Sequence, residues 1–288
     1  MNAFIQIRRP EADTNDAASK EEALFARLAE IPSLLIAVSG GADSAYLAWL
    51  AHRALGANAL SITAISPSYS AYDRAELENF VAHTGIRHEF VETHELDNPA
   101  YRANASDRCY YCKDELFNVL GKIAKVRGFA AVAYGVNADD TSDFRPGHRA
   151  AAEHQVLAPL LQAKMSKADI RVLSQRAGLP TWDRPASACL SSRLPYGTEV
   201  TPERLQLVES GEAILRELGF RQFRVRLHDK LARIEIAVEE LPLAMTAQMG
   251  ARIARRFKAA GFLYVALDLE GYRQGSLNAA LKAKSEAG

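Results

Sequence analysis

Cysteine is scarce in this chain: three in 288 residues, at 109, 112 and 189. So odd and sparse a set excludes a disulfide framework, and the Cys109-x-x-Cys112 pair points to metal or redox chemistry in a reducing compartment. An excess of one charge is also missing. Lys+Arg and Asp+Glu each number 35, for a net charge of zero, whereas a chain built chiefly to grip nucleic acid usually carries a basic excess. No apolar run approaches the length of a membrane span, and residues 1–10 lack the apolar core of a signal peptide. The expectation is a cytoplasmic protein with neither membrane nor nucleic acid as partner. No internal repeat is visible. No Gly-Lys-Ser/Thr follows the glycine-containing loop, which excludes a Walker A phosphate site.

What is present is an ordinary globular composition, 48% hydrophobic and 24% charged, in a length sufficient for one large or two ordinary domains. The most informative stretch is Leu34-Leu35-Ile36-Ala37-Val38-Ser39-Gly40-Gly41-Ala42-Asp43-Ser44. Its apolar opening suits a strand buried on both faces. Two glycines then allow a tight turn and close approach to a ligand, and a helix follows without a breaker. Strand, glycine turn and helix start present backbone N–H groups and a positive dipole end to an anion. Ser39 and Ser44 add hydroxyl donors, and the Asp43 carboxylate suits a magnesium ion held against phosphate. A plain capped turn accounts for one or two of these residues but not for all of them in this order.

Along the chain, polar residues 10–22 read as a mobile tail. Helices are expected from about Ala23 to before Pro32, from the glycine turn to Leu55, and over 73–83, 113–126 and 166–177. Strands are expected over 34–38, 59–65, 87–91, 129–134 and 156–161. This alternation predicts an α/β fold with a doubly wound, mostly parallel sheet, whose ligands bind beyond the carboxyl ends of the strands. From Thr201 the pattern changes to a helix over 202–218, strands over 222–227 and 232–238, a helix over 241–260 and a strand over 262–267. These make a smaller C-terminal α+β domain. The expected organisation is a tail over 1–22, a nucleotide domain over 23–195 and the α+β domain, for substrate binding or oligomerisation, over 196–288, with the last twenty or so residues frayed.

Several side chains in these loops stand out. Asn137 and Arg145 lie in the Asp-rich loop 135–147 after the fourth strand, which is otherwise a solvated turn-rich segment. Lys167 in a helix first turn opposes the dipole unless it faces phosphate; otherwise it is a solvated lysine. Cys109 and Cys112 precede the expected helix over 113–126, where the dipole, Arg108 and Lys113 favour thiolates; half-buried, unreactive thiols are the plainer reading. Three thiolates can hold three irons of a four-iron, four-sulfur cluster and leave the fourth open. Arg224 and Arg226 alternate on one strand face with Glu235 on the next strand, either as exposed edge charges or as a guanidinium pair for phosphate or carboxylate.

The order Ser39-Gly-Gly-x-Asp43-Ser44 resembles the pyrophosphate loop of the PP-loop ATP pyrophosphatases, whose fold is that of the adenine nucleotide α-hydrolases. Together with the Phe144-Arg145-Pro146-Gly147 loop, Arg184-Pro-Ala-Ser-Ala-Cys189-Leu-Ser-Ser-Arg193 and Arg224-Val-Arg226, it resembles, over residues 20–270, the LarE family of PP-loop sulfur transferases. The resemblance implies binding of ATP and Mg²⁺ at Ser39, Gly40, Gly41, Asp43, Ser44 and Lys167. It implies a small-molecule substrate, pyridinium-3,5-dicarboxylate mononucleotide, contacted by Asn137, Arg145, Arg193, Arg224, Arg226 and Glu235. Each carboxylate is adenylated and then converted to a thiocarboxylate for the nickel-pincer cofactor. Sulfur comes either from the cysteine matching Cys189, which ends as dehydroalanine, or from a [4Fe–4S] cluster on three cysteines. Cys109, Cys112 and Cys189 resemble the second variant. The resemblance also implies a homo-oligomer, hexameric in family members. Competing readings are a tRNA-thiolating PP-loop enzyme, an amide-forming synthetase and a nucleotide-sensing module.

Overall fold

The computed structural model describes residues 14–142, 146–185 and 188–273. In chain order its elements are α1 (Thr14–Ala29), β1 (Leu34–Ala37), α2 (Ala42–Leu55), β2 (Ala59–Ile65), α3 (Ala71–Thr84), β3 (His88–Glu92), α4 (Pro99–Arg102), α5 (Arg108–Arg127), β4 (Ala131–Tyr134), α6 (Pro146–Glu153), α7 (Pro159–Gln162) and α8 (Lys167–Arg176). There follow α9 (Pro202–Glu217), β5 (Phe223–His228), β6 (Leu231–Ile236), α10 (Leu241–Ala244), α11 (Ala247–Ala259) and β7 (Tyr264–Leu267). The contacts divide the chain into two units. The first comprises the described parts of Met1–Ile65, Asp73–Thr93 and Cys109–Ser187, and the second those of Ser66–Tyr72, His94–Arg108 and Ala188–Gly288.

The first unit is built on a wholly parallel sheet in the order β3-β2-β1-β4. Every residue of β1 is buried, because alternate side chains serve two cores. Leu34 and Ile36 join the core made with α1, α2 and α8, whereas Leu35 and Ala37 join Phe117 and Leu120 of α5 and Ala150 and Ala151 of α6. A sheet covered by helices on both faces requires such continuous apolar strands. The doubly wound α/β architecture expected from the sequence is therefore the one observed. Strand order reverses between β2 and β4 around β1, so the carboxyl ends of β1 and β4 form the topological switch point.

The second unit carries the three-stranded sheet β5-β6-β7, antiparallel at its first pair and parallel at its second. Val225, Leu227, Ile234, Ile236, Phe257 and Phe262 are buried in it. Segments 66–72 and 94–108 belong to this unit, a division more interleaved than a single boundary at 195/196. Asn104 is a physical reason: fully buried at φ +53, it donates from Nδ2 to the carbonyls of Pro195 and Thr198 at 2.8 and 2.9 Å. The Tyr101 hydroxyl meets Ser191 Oγ at 2.7 Å.

Four elements differ from expectation. Helix α1 starts at Thr14, within the stretch read as a tail. Its first turns bury only Ala17 ahead of Leu24 and Leu28, and they are held by Lys20, which bridges Asp16 at 2.6 Å and Asp169 at 3.0 Å. The strand expected over 156–161 reduces to one bridge between Ala133 and Leu157, because Pro159 starts α7. Helix α5 starts at Arg108, so Cys109 and Cys112 lie inside it, not before it. The long helix expected over 241–260 breaks into α10 and α11, with Thr246 capping the second by accepting from Met249 N.

Candidate functional site

In the first unit, the turn after β1 leads straight into α2. Gly40 adopts φ +82, which glycine enters without steric cost. Gly41 is the N-cap of α2 and, lacking a side chain, makes no capping bond. The first-turn amides of α2 have no intrahelical acceptor by geometry, and no cap side chain occupies the space an anion would take. The hydroxyls brace the loop from within. Ser44 Oγ accepts from Ser39 N at 3.1 Å, lies 3.2 Å from Ser39 Oγ and donates to the Gly41 carbonyl at 3.1 Å. Beneath it, Thr63 Oγ1 donates to the Val38 carbonyl at 2.7 Å.

The turn after β4 comes to the same place. Gly135 lies so close to α2 that a Cβ there would stand 2.5 Å from Ser44 Cα. Asn137, fully buried, donates from Nδ2 to Asp43 Oδ2 at 2.9 Å, while its Oδ1 accepts from Asp139 N at 2.9 Å. Burial, and next the neighbouring Asp140 carboxylate, push Asp43 above the usual carboxylate range, against the pull of Asn137, Lys167 and Arg171. Lys167 Nζ reaches Asp140 Oδ1 at 3.0 Å, and its amide donates to Asp139 Oδ2 at 2.8 Å. The first-turn lysine thus faces an acidic pair, with Ser166 and Asp169 forming a capping box behind it. Asp139 and Asp140 were visible in the sequence only as part of an acidic loop. A carboxylate pair beside an uncapped helix start suits Mg²⁺, which needs one or two carboxylates and completes its shell with water and phosphate oxygens. The donor set fits.

The cysteine turn lies on the other face of this unit's sheet, with α5 and α6. Cys109 is exposed and Cys112 half-buried, one helical turn apart on α5. Gly147 of α6 packs where a Cβ would meet Lys113 Cγ at 2.9 Å and the Cys109 carbonyl at 3.5 Å. Tyr110 donates to Glu153 at 2.6 Å beneath the Arg149 guanidinium, and His154 meets Asp114 at 2.8 Å. Arg108, expected to favour the thiolates, turns within the second unit to Asn104 Oδ1 and the Ser191 carbonyl, at 2.5 and 2.8 Å.

In the second unit, Cys189 is half-buried at the start of a turn over Leu190–Arg193. Two buried arginines hold that turn. Arg193 pairs with Glu212 through Nε–Oε1 at 2.8 Å and Nη2–Oε2 at 3.1 Å, and its Nη1 donates to the Ala188 and Cys189 carbonyls at 2.5 and 3.1 Å. Arg226 pairs with Glu235 through Nε–Oε1 at 3.0 Å and Nη2–Oε2 at 2.9 Å, and its Nη1 donates to the Ser192 carbonyl at 2.8 Å. Arg226 is 6% and Glu235 1% exposed, so these are not edge charges. Arg224 stands over the Tyr272 ring, and burial and then Arg193 pull its affinity for a proton down. Glu212 was missed in the sequence. The available signal was an acidic residue on the face of α9 that buries Leu205, Val208 and Leu215.

The structure therefore gathers Ser39, Gly40, Gly41, Asp43, Ser44, Asn137 and Lys167 at the switch point, and sets Cys109 beside Cys112. It gathers Cys189, Arg193, Arg224, Arg226 and Glu235 in the second unit. Arg145 lies outside the described residues. Cys109 and Cys112 belong to the first unit and Cys189 to the second, and among the described residues no group of three or more His, Cys, Asp or Glu side chains is placed to hold a metal. None of the described helices is long and apolar enough to cross a membrane.

No family model matches the chain. It is 45% identical over 263 residues to an uncharacterized protein of Synechocystis sp., covering 91% of this chain and 98% of the relative. An uncharacterized protein of Methanocaldococcus jannaschii is 30% identical over 240 residues, 83% of this chain and 90% of its own. The pyridinium-3,5-bisthiocarboxylic acid mononucleotide synthase of Lactiplantibacillus plantarum is 34% identical over 262 residues, 91% of this chain and 94% of that enzyme. Likeness of that degree across nearly the whole of both chains, on a parallel sheet with a smaller α+β unit, makes this chain a member of the LarE family.

Proposed function

We propose that the chain is an ATP-dependent sulfur transferase that converts the carboxylates of pyridinium-3,5-dicarboxylate mononucleotide to thiocarboxylates for nickel-pincer cofactor synthesis. The observation that carries this reading is the uncapped start of α2 behind the Gly40 turn, with Asp43 held by Asn137 at 2.9 Å and Asp140 by Lys167 at 3.0 Å. The name of the Lactiplantibacillus plantarum relative supplies the substrate class. The first unit serves the nucleotide, and the second serves the acceptor and self-association.

A carboxylate is unreactive to thiolate until one oxygen becomes a leaving group. An acceptor oxygen attacks the α-phosphorus of ATP, and pyrophosphate departs with the bridging electron pair. The α2 amides bind the phosphates on a turn that Ser39 and Ser44 brace, while Asn137 and Lys167 hold the Asp43 and Asp140 carboxylates in place. Mg²⁺, held by Asp43, would supply charge neutralisation to the departing pyrophosphate. Sulfur then attacks the acyl carbon and AMP leaves with the C–O electron pair.

Cys189 is the sulfur-side residue in both family routes. As donor its thiolate forms the thioester, and cleavage of the Cβ–Sγ bond with loss of the Cα proton frees the thiocarboxylate and leaves dehydroalanine. On the other route Cys109, Cys112 and Cys189 would hold a [4Fe–4S] cluster that would supply sulfide in place of the Cys189 sulfur. Arg193 and Arg226 hold the carbonyls of the Cys189 turn, and Arg224 with Tyr272 offers the acceptor's phosphate or carboxylate a cation. Val238, Leu243, Met245, Leu263, Tyr264 and Leu269 are exposed in the second unit, which supports a homo-oligomer, to be read by light scattering.

The test is incubation of anaerobically purified protein with ATP, Mg²⁺ and the dicarboxylate mononucleotide. The expected result is an acceptor whose mass rises by sulfur-for-oxygen exchange, with AMP and pyrophosphate released in step. Iron content and the mass of the Cys189 peptide assign the donor. ATP turnover indifferent to the acceptor would overturn the reading.

A further inference from the structure

The pyrophosphate turn has a carbonyl that a buried cation holds. The Gly40 carbonyl accepts from Nη1 of Arg184 at 2.7 Å, and Nη2 of the same guanidinium donates to Oδ1 of Asp73 at 2.6 Å. Both partners are sheltered, with side chains 7% and 15% exposed. Arg184 stands on the irregular segment after α8, and its own carbonyl accepts from Arg171 Nη2 at 3.1 Å. Asp73 stands in the first turn of α3. The guanidinium thus ties the turn to α3 and to the segment after α8.

The consequence follows from peptide geometry. In a planar trans peptide the carbonyl and the next N–H point in opposite directions, so fixing the Gly40 oxygen fixes the direction of the Gly41 N–H. Gly40 needs an external restraint because a glycine at φ +82 has no side chain to limit its rotation. Ser44 Oγ is engaged with Ser39 and with the Gly41 carbonyl. Resting on the nucleotide reading above, we propose that Arg184, anchored by Asp73, is the positioning residue that sets the Gly40–Gly41 peptide plane and turns the Gly41 N–H toward the β- and γ-phosphates of ATP.

The role is specific to the pyrophosphate end of the nucleotide, and the experiment uses that. Affinities for ATP, inorganic pyrophosphate and AMP are measured by calorimetry with Mg²⁺ for the wild type, Arg184→Ala, Arg184→Lys and Asp73→Asn. Arg184→Ala is expected to weaken ATP and pyrophosphate about tenfold, the scale of one lost oriented hydrogen bond, and to leave AMP within about twofold. Arg184→Lys keeps the charge but serves one partner only, so it recovers part of the loss, and Asp73→Asn shows a smaller loss of the same pattern. Where Arg184→Ala fails to fold, the other two variants carry the comparison. Pyrophosphate affinity unchanged across the variants, or AMP and pyrophosphate weakened together, would overturn this inference alone. A wild type that binds neither ATP nor pyrophosphate would overturn the nucleotide reading and this inference with it.

Discussion

Replacing Gly135 with alanine adds a single methyl group at the most crowded point of the switch region. Its Cβ would lie 2.5 Å from Ser44 Cα, 2.7 Å from Ser44 N and 3.0 Å from Ser44 Cβ. Two of these atoms are helix backbone and cannot rotate away. Carbon contacts settle at roughly 3.5–4.0 Å, so the end of β4 and the start of α2 must part by about 1 Å. Backbone strain is not the cause, since Gly135 is not among the positive-φ glycines. Overpacking of this kind costs about 1–3 kcal/mol, or several degrees of melting temperature at roughly 2–4 °C per kcal/mol. The same displacement moves Ser44 Oγ, which holds Ser39 N and the Gly41 carbonyl at 3.1 Å each. An ångström of misplacement can cost on the order of a hundredfold in rate. The expected signature is therefore a loss of acceptor-dependent pyrophosphate release far larger than the loss of stability, read by ATP–pyrophosphate exchange beside thermal melting. Gly121, in α5, is the control, because a methyl group there would meet nothing within 4 Å. Alanine at 121 should stabilise by about 0.5–1 kcal/mol. A Gly135→Ala protein with wild-type exchange and melting would refute the steric argument.

Glu212→Gln should destabilise by about 3–5 kcal/mol in urea, because it strands the buried Arg193 charge. Burial, the largest influence, would raise Glu212, but Arg193, Arg224 and the Val225 N–H together outweigh it and hold the carboxyl below its ordinary 4.5. Its contribution is then full above pH 4.5 and is lost as pH falls through the lower folded value, which an acid titration of wild type against Glu212→Gln would resolve. Asp43 is shifted the other way, so its ionised form is disfavoured by the fold at neutral pH. Asp43→Asn should raise the melting temperature of the ligand-free protein while abolishing Mg²⁺-dependent pyrophosphate release; a lower melting temperature would contradict the repulsion with Asp140. Cys189→Ser should leave acceptor-dependent pyrophosphate release within about threefold and stop the mass gain of the acceptor, since the thiol acts only after adenylation.

The parallel sheet and the turn after β1 were legible because both depend on local pattern: continuous apolar runs, and glycines beside hydroxyl and carboxylate residues. What escaped depends on tertiary partners. The first turns of α1 look polar because Lys20 and Asp16 are surface residues locally, and their value comes from Asp169 far along the chain. Residues 156–161 are apolar enough for a strand, yet Pro159 cannot donate to a ladder, and only Leu157 bridges to Ala133. Segments 66–72 and 94–108 lie, in sequence, between elements of the first unit. Their membership of the second unit rests on buried bonds such as Leu190 N to the Ser68 carbonyl at 3.0 Å, which no periodicity announces. For the same reason Arg193 was legible as a charged residue near Cys189, but its commitment to Glu212 was not.

Two loops of this chain are ordered by one physical device used three times. Arg184 with Asp73 holds the Gly40 carbonyl, Arg193 with Glu212 holds those of Ala188 and Cys189, and Arg226 with Glu235 holds that of Ser192. A loop carbonyl has no ladder partner, and leaving it buried and unbonded costs about 1–3 kcal/mol. Arg193 and Arg226 each bind a carboxylate through two nitrogens and direct a third at a carbonyl, while Arg184 gives one nitrogen to Asp73 and another to Gly40, a division of labour an ammonium cannot hold in one plane. The carboxylate in each case offsets the cost of burying the charge and fixes the plane of the fork. An ammonium group satisfies the charge but not the plane. Arginine-to-lysine changes at 184, 193 and 226 should therefore loosen the loops with little change in net charge, which separates geometry from electrostatics at each one.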